Sequence, residues 1–592
     1  MSVAPDGPLA SPSRAGFSVV PAMVILAVIW LLTGATYLME TGFVPFMIRV
    51  MVAPLLGGVV TLTWWLGFTG LGWRDKVLVA VFFLAALGLL TVPHGGNGMF
   101  YLFASLPVAV TAWLGWLALT PWLSWPPRRI GLLIAIGLGV GFFSLVRIQG
   151  IDGDFAPEYE WAWKPTSESR HLAEVDQVGA AIGQGPDRPA NMKAGPGDWP
   201  AFRGPERDSI VQDTTIGTDW KTNPPKVLWQ HLIGPGWSSF SVVGKLLFTQ
   251  EQRAENELIV CYETENGKEL WNHAVPTRFS EPVAGPGPRA TPTYFDGKIY
   301  AQGANGHLVC LDAYTGKPLW AKDLRTDTGA EPPQWGFSGS PLVYKGLVSV
   351  FAGAENKTLA AYQADTGEQA WISSRKTRAE LSYCSTHLFT IHGVEQLIIL
   401  TDRGAAAYEP VTGKQIWEHD WETNGVARCI QPALVDGSDI IIGTGLGVGA
   451  QRIHVALTDG QWAVSEVWKT GRFKSYYNDM VIHEGHAYGY DANMFVCVDL
   501  KTGEICWKAR GYGSGQTLLL ARQGLLVVLT EKGEVALVEA NPKAHKELAR
   551  LKVLEGKTWN HPVIAHGKLF VRNGAEIACL ELPKAGAGLA KE

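Results

Sequence analysis

One 11-residue string is used five times: CYETENGKELW at Cys261–Trp271, CLDAYTGKPLW at Cys310–Trp320, AYQADTGEQAW at Ala361–Trp371, AYEPVTGKQIW at Ala407–Trp417 and CVDLKTGEICW at Cys497–Trp507. Each copy ends a strand, turns and starts another. The glycine supplies the positive φ of the turn at no steric cost. The acidic or amide residue at the third position bonds nearby turn amides, and the closing tryptophan is suited to packing between neighbouring sheets. Two weaker copies run up to Trp468 and around Leu548. A period of this size belongs to a solenoid or a propeller.

A second series counts the units. Glycine turns precede short apolar strands at Gly244, Gly297, Gly346, Gly393, Gly437, Gly485, Gly524 and Gly567, in steps of 39 to 53 residues. Four strands fit such a step, as in a propeller blade. The sequence therefore predicts an all-β propeller of eight four-stranded antiparallel blades over 199–582. The strand around Trp229 has no inner strands of its own, and 559–582 lacks an outermost strand. The two are expected to pair and close the ring, which removes the open edge.

Ahead of the repeats, residues 17–148 carry almost no charge and predict an α-helical membrane domain. Apolar windows at 17–39, 44–69, 77–93, 99–120 and 130–148 suggest five spans, each near the ~20 residues that cross a bilayer core. A single cleaved signal peptide does not explain so many apolar runs. With five spans, Arg14, Arg74, Lys76, Arg128 and Arg129 fall on one side. Glu40, His94, Asp152, Asp154, Glu158 and Glu160 fall on the other. The bias of basic residues makes residues 1–16 a cytoplasmic N-terminus and puts the propeller outside, in the periplasm of a bacterial inner membrane. Arg49 lies inside span two and is read as snorkelling to the interface. Residues 149–198 read as an extracytoplasmic linker in which Trp161 and Trp163 rest at the interface or on the propeller. Residues 583–592 read as a flexible tail.

A formal charge of −5 on 592 residues argues against a nucleic-acid partner. Cys261, Cys310, Cys497 and Cys579 stand at the first position of the repeat string and read as small buried residues. Only Cys384, Cys429 and Cys506 remain. No C-x-x-C, haem-attachment motif or adjacent cysteine pair is present, and no disulfide is indicated.

The string A-x-D-x-x-T-G-K/E-x-x-W resembles the tryptophan-docking repeat of quinoprotein dehydrogenases, which use pyrroloquinoline quinone (PQQ). It is shared with propellers that bind no quinone, such as the scaffold lipoprotein of the outer-membrane β-barrel assembly machinery. The five-span anchor resembles that of membrane-bound quinoprotein glucose dehydrogenase. The segment WPAFRGPERD, Trp199–Asp208, is typical of bacterial PQQ-binding-like β-propeller repeat proteins.

The resemblance implies a site on the face where chains enter the innermost strands. A quinoprotein there needs stacking planes, hard oxygen ligands for calcium, a cation near the quinone and a carboxylate base. The candidates are Trp237, Trp335 and Trp559 for stacking, Arg289 and Arg428 for the quinone, Glu251 and Asn478 for calcium, and Asp479 as base. The other reading is that these groups line the channel and satisfy strand-end amides. His387 then reads as an interior hydrogen-bonded histidine, and His561 as structural. Long insertions between repeats, and the adjacent cysteines and haem domain of many PQQ alcohol dehydrogenases, are missing. The favoured expectation is thus a membrane-anchored periplasmic binding or assembly platform for protein partners, without a redox cofactor. The alternative is a PQQ- and calcium-dependent dehydrogenase passing electrons from an alcohol or sugar to ubiquinone.

Overall fold

The computed structural model describes residues 18, 20–36, 47–92, 98–153, 156–178, 188–374, 381–423, 426 and 428–585. The orientation residues Arg14, Glu40, His94 and Asp154 lie outside these, as does most of the predicted tail. The chain divides into two compact units, Met1–Ile151 with Phe155–Lys164 and Asp152–Asp154 with Pro165–Glu592.

The first unit is helical. Helices occupy Val20–Ala35, Ala53–Phe68, Trp73–Thr91, Gly98–Leu119 and Trp125–Gly141, with a π-helical turn at Ile48–Val52 that contains Arg49. The expectation of five spans is corrected to three. Among the described residues, Ile48–Phe68, Gly98–Leu119 and Trp125–Ser144 are long and apolar enough to cross a membrane. Val20–Ala35 has 16 residues, about 24 Å at ~1.5 Å per residue, short of a ~30 Å core. The helix Trp73–Thr91 spends its first turn on Arg74, Asp75 and Lys76, which leaves too few apolar residues. Those charges are tied down. Asp75 pairs with Arg129 at 2.6 Å and accepts from Trp125 Nε1. Lys76 Nζ caps the Leu66 carbonyl and Arg128 caps that of Leu117, near the C-termini of two neighbouring helices, where cations are favoured. Trp161 stacks on Trp163 at 4.7 Å and meets the ring of Phe142 within this unit.

The second unit is the expected eight-bladed propeller. Blade 1 is Ser241–Val243, Leu246–Arg253, Asn256–Glu263 and Glu269–Val275, and each later blade repeats that antiparallel order. In blade 8, Val563–Ala565, Lys568–Arg572 and Glu576–Glu581 are completed by Lys226–Leu232. Cys579 faces Trp229 in that pairing, as the closure argument requires.

The two glycine series have distinct jobs. The hairpin joining the first two strands is a two-residue turn with both φ values positive, as at Asp296–Gly297, Lys345–Gly346 and Glu484–Gly485. That is the type I′ geometry that matches strand twist. The string glycine instead lies flat against the tryptophan of the preceding blade. A Cβ on Gly316 would sit 2.5 Å from the Trp271 ring, and one on Gly367 2.7 Å from Trp320. The indole nitrogen then donates across the seam: Trp229 to Thr264 O, Trp271 to Ala313 O, Trp320 to Ala364 O and Trp468 to Leu500 O. Each acceptor is the fourth residue of the next blade's string. The acidic third residue holds its turn: Asp312 accepts from Tyr314 N and Thr315 N, and Asp499 from Lys501 N and Thr502 N. The two weaker copies show how a seam degenerates. Blade 5 extends its outer hairpin to two 10-residue strands, and Trp417 donates to the Gln396 side chain instead. In blade 7 Ala549 stands opposite Leu537, where other blades place tryptophan.

Of the predicted linker, Ser167–Val178 is a helix belonging to the propeller unit. Glu168 grips the Arg278 guanidinium and the Ala254 amide, and His171 meets Glu251 at 3.3 Å.

Candidate functional site

The segments entering the innermost strands are linked by hydrogen bonds that run from blade to blade. Except in blade 7, the residue two places before each innermost strand is the station. Ser239 N donates to Thr291 Oγ1, Thr291 N to Ser340 Oγ, Ser340 N to Ser385 Oγ and Ser385 N to Gln431 Oε1, each at 2.9 Å. Gln431 N donates to Asp479 Oδ1 at 2.6 Å. Gln516 Nε2 carries the series past blade 7 by donating to the Tyr477 and Trp559 carbonyls. Asp479 Oδ2 meets His561 Nε2 at 3.2 Å, and Ser239 Oγ donates to His561 O. The circle is complete, and every station in it is buried.

The segment Trp199–Ser209 fills the middle. Trp199 bridges to Val242 and Pro200 O accepts from Tyr294 N. Phe202 packs edge-on against His561 at 4.8 Å. Arg203 donates to Met480 O and lies 3.7 Å from Asp479, while Arg207 donates to the Ser340 and Pro341 carbonyls. Ile210–Val211 then pairs in parallel with the innermost strand of blade 7. The segment thereby touches six blades. Arg203, Arg207 and Ser209 adopt φ of 64°, 58° and 62°, a left-handed conformation that non-glycine residues keep only when their surroundings impose it.

Electrostatics follow from this burial. Burial pushes the Asp479 carboxyl up, but Arg203 and His561 outweigh it and hold the group below the usual carboxylate range. Burial, then Arg207 and Arg203, pull His387 down to about 3, so it stays neutral and bonds Gln431 at 3.1 Å.

The predicted site residues divide into two sets. Trp237, Trp335 and Trp559 share one aromatic arc. Rings run Trp237–Trp559 at 5.1 Å, Trp559–Tyr477 at 4.7 Å, Tyr477–Tyr476 at 5.9 Å, Tyr476–Trp335 at 5.7 Å and Trp335–Tyr383 at 4.8 Å. Lys557 lies over the Trp237 and Trp559 faces, 5.4 and 4.4 Å from their centroids, a cation–π arrangement. Glu531 anchors Trp559 through its Nε1 at 2.7 Å.

The remaining candidates are held elsewhere. Arg289 is the core of its own loop: it stacks on Phe279 and bonds Glu281 and the Gly285 and Gly287 carbonyls. Arg428 is fully buried, stacked on Trp421 and bonded to the Thr401 and Trp421 carbonyls. Glu251 is fully buried with Arg253, His171 and Tyr262 as partners. Burial raises its carboxyl, but Arg253 and His171 win and drive it well below the usual range. Asn478 Oδ1 accepts from Tyr476 N. Glu251 and Asn478 share no partner, and among the described residues no group of three or more His, Cys, Asp or Glu is placed to hold a metal ion.

Sequence reasoning missed the plug and Lys557. The signal for the plug was present: two arginines and a glycine in ten residues, outside the repeat, just before the first strand. Lys557 carries no local pattern.

A family profile described as "Outer membrane protein assembly factor BamB", of the PQQ-like repeat type, matches residues 220–330 and 255–509. Quinohemoprotein alcohol dehydrogenase ADH IIB of Pseudomonas putida is 32% identical over 125 residues, covering 19% of this chain and 17% of that protein. The quinohemoprotein alcohol dehydrogenase of Comamonas testosteroni is 24% identical over 277 residues, 42% of this chain and 32% of that one. Outer membrane protein assembly factor BamB of Yersinia pestis is 24% identical over 278 residues, 43% of this chain and 67% of that one. The match thus spans a third or less of these two dehydrogenases' length. Among solved structures, the Comamonas testosteroni enzyme aligns at a TM-score of 0.47 and 14% identity, covering 68% of this chain and 83% of that one. The propeller is thus of the PQQ-binding-like repeat type, similar in sequence to this family.

Proposed function

We propose that this protein is a membrane-tethered periplasmic platform whose propeller face binds a protein partner without a redox cofactor. The observation that carries the reading is the fate of the polar candidates. Asp479 is a station of the inner circle, neutralised by the plug. Glu251 is consumed by Arg253, His171 and Tyr262, and both candidate arginines hold their own loops. What the face presents instead is the aromatic arc with Lys557. Tryptophan and tyrosine on a rigid scaffold are among the residue types that dominate protein–protein hot spots. The three apolar spans support a tether, with aliphatic side chains exposed on each: Val59 59%, Leu119 70% and Leu138 70%.

The dehydrogenase reading draws support from the sequence likeness to quinohemoprotein alcohol dehydrogenases. The two readings separate on one measurement. Detergent-solubilised full chain is mixed with PQQ and Ca²⁺, and its absorbance spectrum and thermal midpoint are recorded. Neither a bound-quinone spectrum nor stabilisation is expected. A stoichiometric spectrum with a raised midpoint would overturn the platform reading. If it did, Asp479→Asn would then report whether that carboxylate serves as base or only as a station of the circle.

A further inference from the structure

In blade 6 the strands Met494–Asp499 and Ile505–Ala509 pair with Cys497 opposite Trp507 and Val498 opposite Ile505. The skipped residue is Cys506, so Cys506 and Trp507 together oppose Cys497 in a β-bulge. The same bulge recurs at this place in blades 1 to 5, 7 and 8. These blades act as an internal control. In place of Cys506 they carry leucine, as at Leu270, Leu319, Leu548 and Leu228, or else Ala370, Ile416 or Val467. Blades 1, 2 and 8 also have cysteine at the first position, but there it faces leucine. Only blade 6 places a thiol on both sides of the bulge.

The two thiols differ in access. Cys497 is fully buried and Cys506 is exposed, and both are free. Both flank the one bulge, so their side chains are neighbours across it. Opposed residues on antiparallel strands lie about 4.5–5.5 Å apart at Cα; Trp507 is the register partner of Cys497, and the bulge sets its neighbour Cys506 against the same residue, near the roughly 4.4–6.8 Å Cα span of a disulfide.

We propose that Cys497 and Cys506 form a redox-active dithiol that reacts with disulfide-bearing molecules. The exposed Cys506 thiolate attacks the incoming disulfide. This forms a mixed disulfide and releases one thiolate, which takes up the proton Cys506 lost. The Cys497 sulfur, having given its proton to water, then attacks the Cys506 sulfur. The Cys497–Cys506 bond forms, the mixed disulfide breaks, and the second half of the reagent leaves as a thiol after protonation. Two protein thiols are oxidised and one disulfide is reduced to two thiols. Burial, and next Cys506, raise the Cys497 thiol above its ordinary range. That favours Cys506 as the first nucleophile.

The test uses full-length protein in detergent, oxidised glutathione as the disulfide, iodoacetamide to block remaining thiols after unfolding, and trypsin. Cleavage after Lys501 separates the two cysteines, so their bond appears as two joined peptides. The expected result is that joined pair, with alkylation lost at both residues and restored by dithiothreitol. Cys497→Ala, with alanine as at Ala361 and Ala407, should trap a stable glutathione adduct on Cys506. Cys506→Leu, as at Leu270, should leave Cys497 alkylated in full. Unchanged alkylation of both residues in the wild type would overturn the proposal. So would a wild-type glutathione adduct that persists on Cys506 while Cys497 stays free.

Discussion

The outer seams of the propeller and its inner circle solve the same problem with different materials. Both join blade to blade. The seams use one repeated device, a tryptophan laid over the next blade's glycine, with its indole hydrogen bond to a fixed carbonyl. The circle mixes five residue types over the stations Ser239, Thr291, Ser340, Ser385, Gln431, Asp479 and His561. Its centre is supplied by a segment outside the repeat. Apolar packing needs one shape copied many times. A closed circuit of hydrogen bonds needs only that each donor find an acceptor, so the side chains vary freely.

The comparison can be broken at either end. The largest effect is expected at an intact seam. Trp320→Ala should cost about 3–5 kcal/mol in denaturant unfolding. Trp468→Ala, at a seam with the same indole bond but a ring only partly buried, should cost clearly less. Equal losses would mean that the seams do not differ as the geometry says. At the circle, Arg203→Met strands the buried Asp479 charge and should cost about 3 kcal/mol. Adding Asp479→Asn should return much of that loss, a coupling that a double-mutant cycle reads directly. Simple additivity would remove the plug–circle ion pair from the account.

Next in size is a pH effect. Burial lifts the Glu257 carboxyl from 4.5 to about 7, opposed only partly by the Ala304 amide and Arg289. Between those values the native state holds a proton that the unfolded chain has released. Stability from this group is therefore full below pH 4.5, falls as pH rises, and is lost above about 7, a difference of ~3 kcal/mol. Glu257→Gln should flatten that slope and raise the melting midpoint at pH 8. An unchanged pH profile would show that Glu257 does not keep its proton. The smallest effect is Gly316→Ala, about 1–2 kcal/mol from its positive φ and the crowding of Trp271. In a Trp271→Ala background the crowding disappears and only the backbone part should remain.

The same contrast explains what could be read before the structure. Blade number, strand pairing and closure at Trp229 follow from spacing, because each blade repeats the Trp–Gly contact in register. The third-position acids were correctly assigned to turn amides for the same reason. The helical region was read too generously. The hydropathy window at 17–39 hides a short helix, and the window at 77–93 leaves out the charged turn Arg74–Lys76 with which its helix begins. The face was only partly legible. The three tryptophans converge, since each begins an entering segment. The partners of the two calcium candidates were not legible: Glu251 meets the blade's own Arg253 and Tyr262, whereas Asn478 Oδ1 accepts from Tyr476 N. Where a strand-end side chain turns depends on which long-range partner reaches it first. No local pattern encodes that.

The closing pairing of Trp229 with Cys579 joins residues 350 positions apart. Such contacts reward the chain only after the whole loop between them is ordered, which slows folding. On a ribosome, the plug and first strand emerge long before the strand that completes their blade. Until Glu576–Glu581 arrives, seven blades stand with an unpaired edge at one end and the loose strand Lys226–Leu232 at the other. The nascent ring is thus most exposed to intermolecular strand pairing just before it is finished. The order of synthesis makes the last twenty residues of the propeller the step that commits it to a single chain.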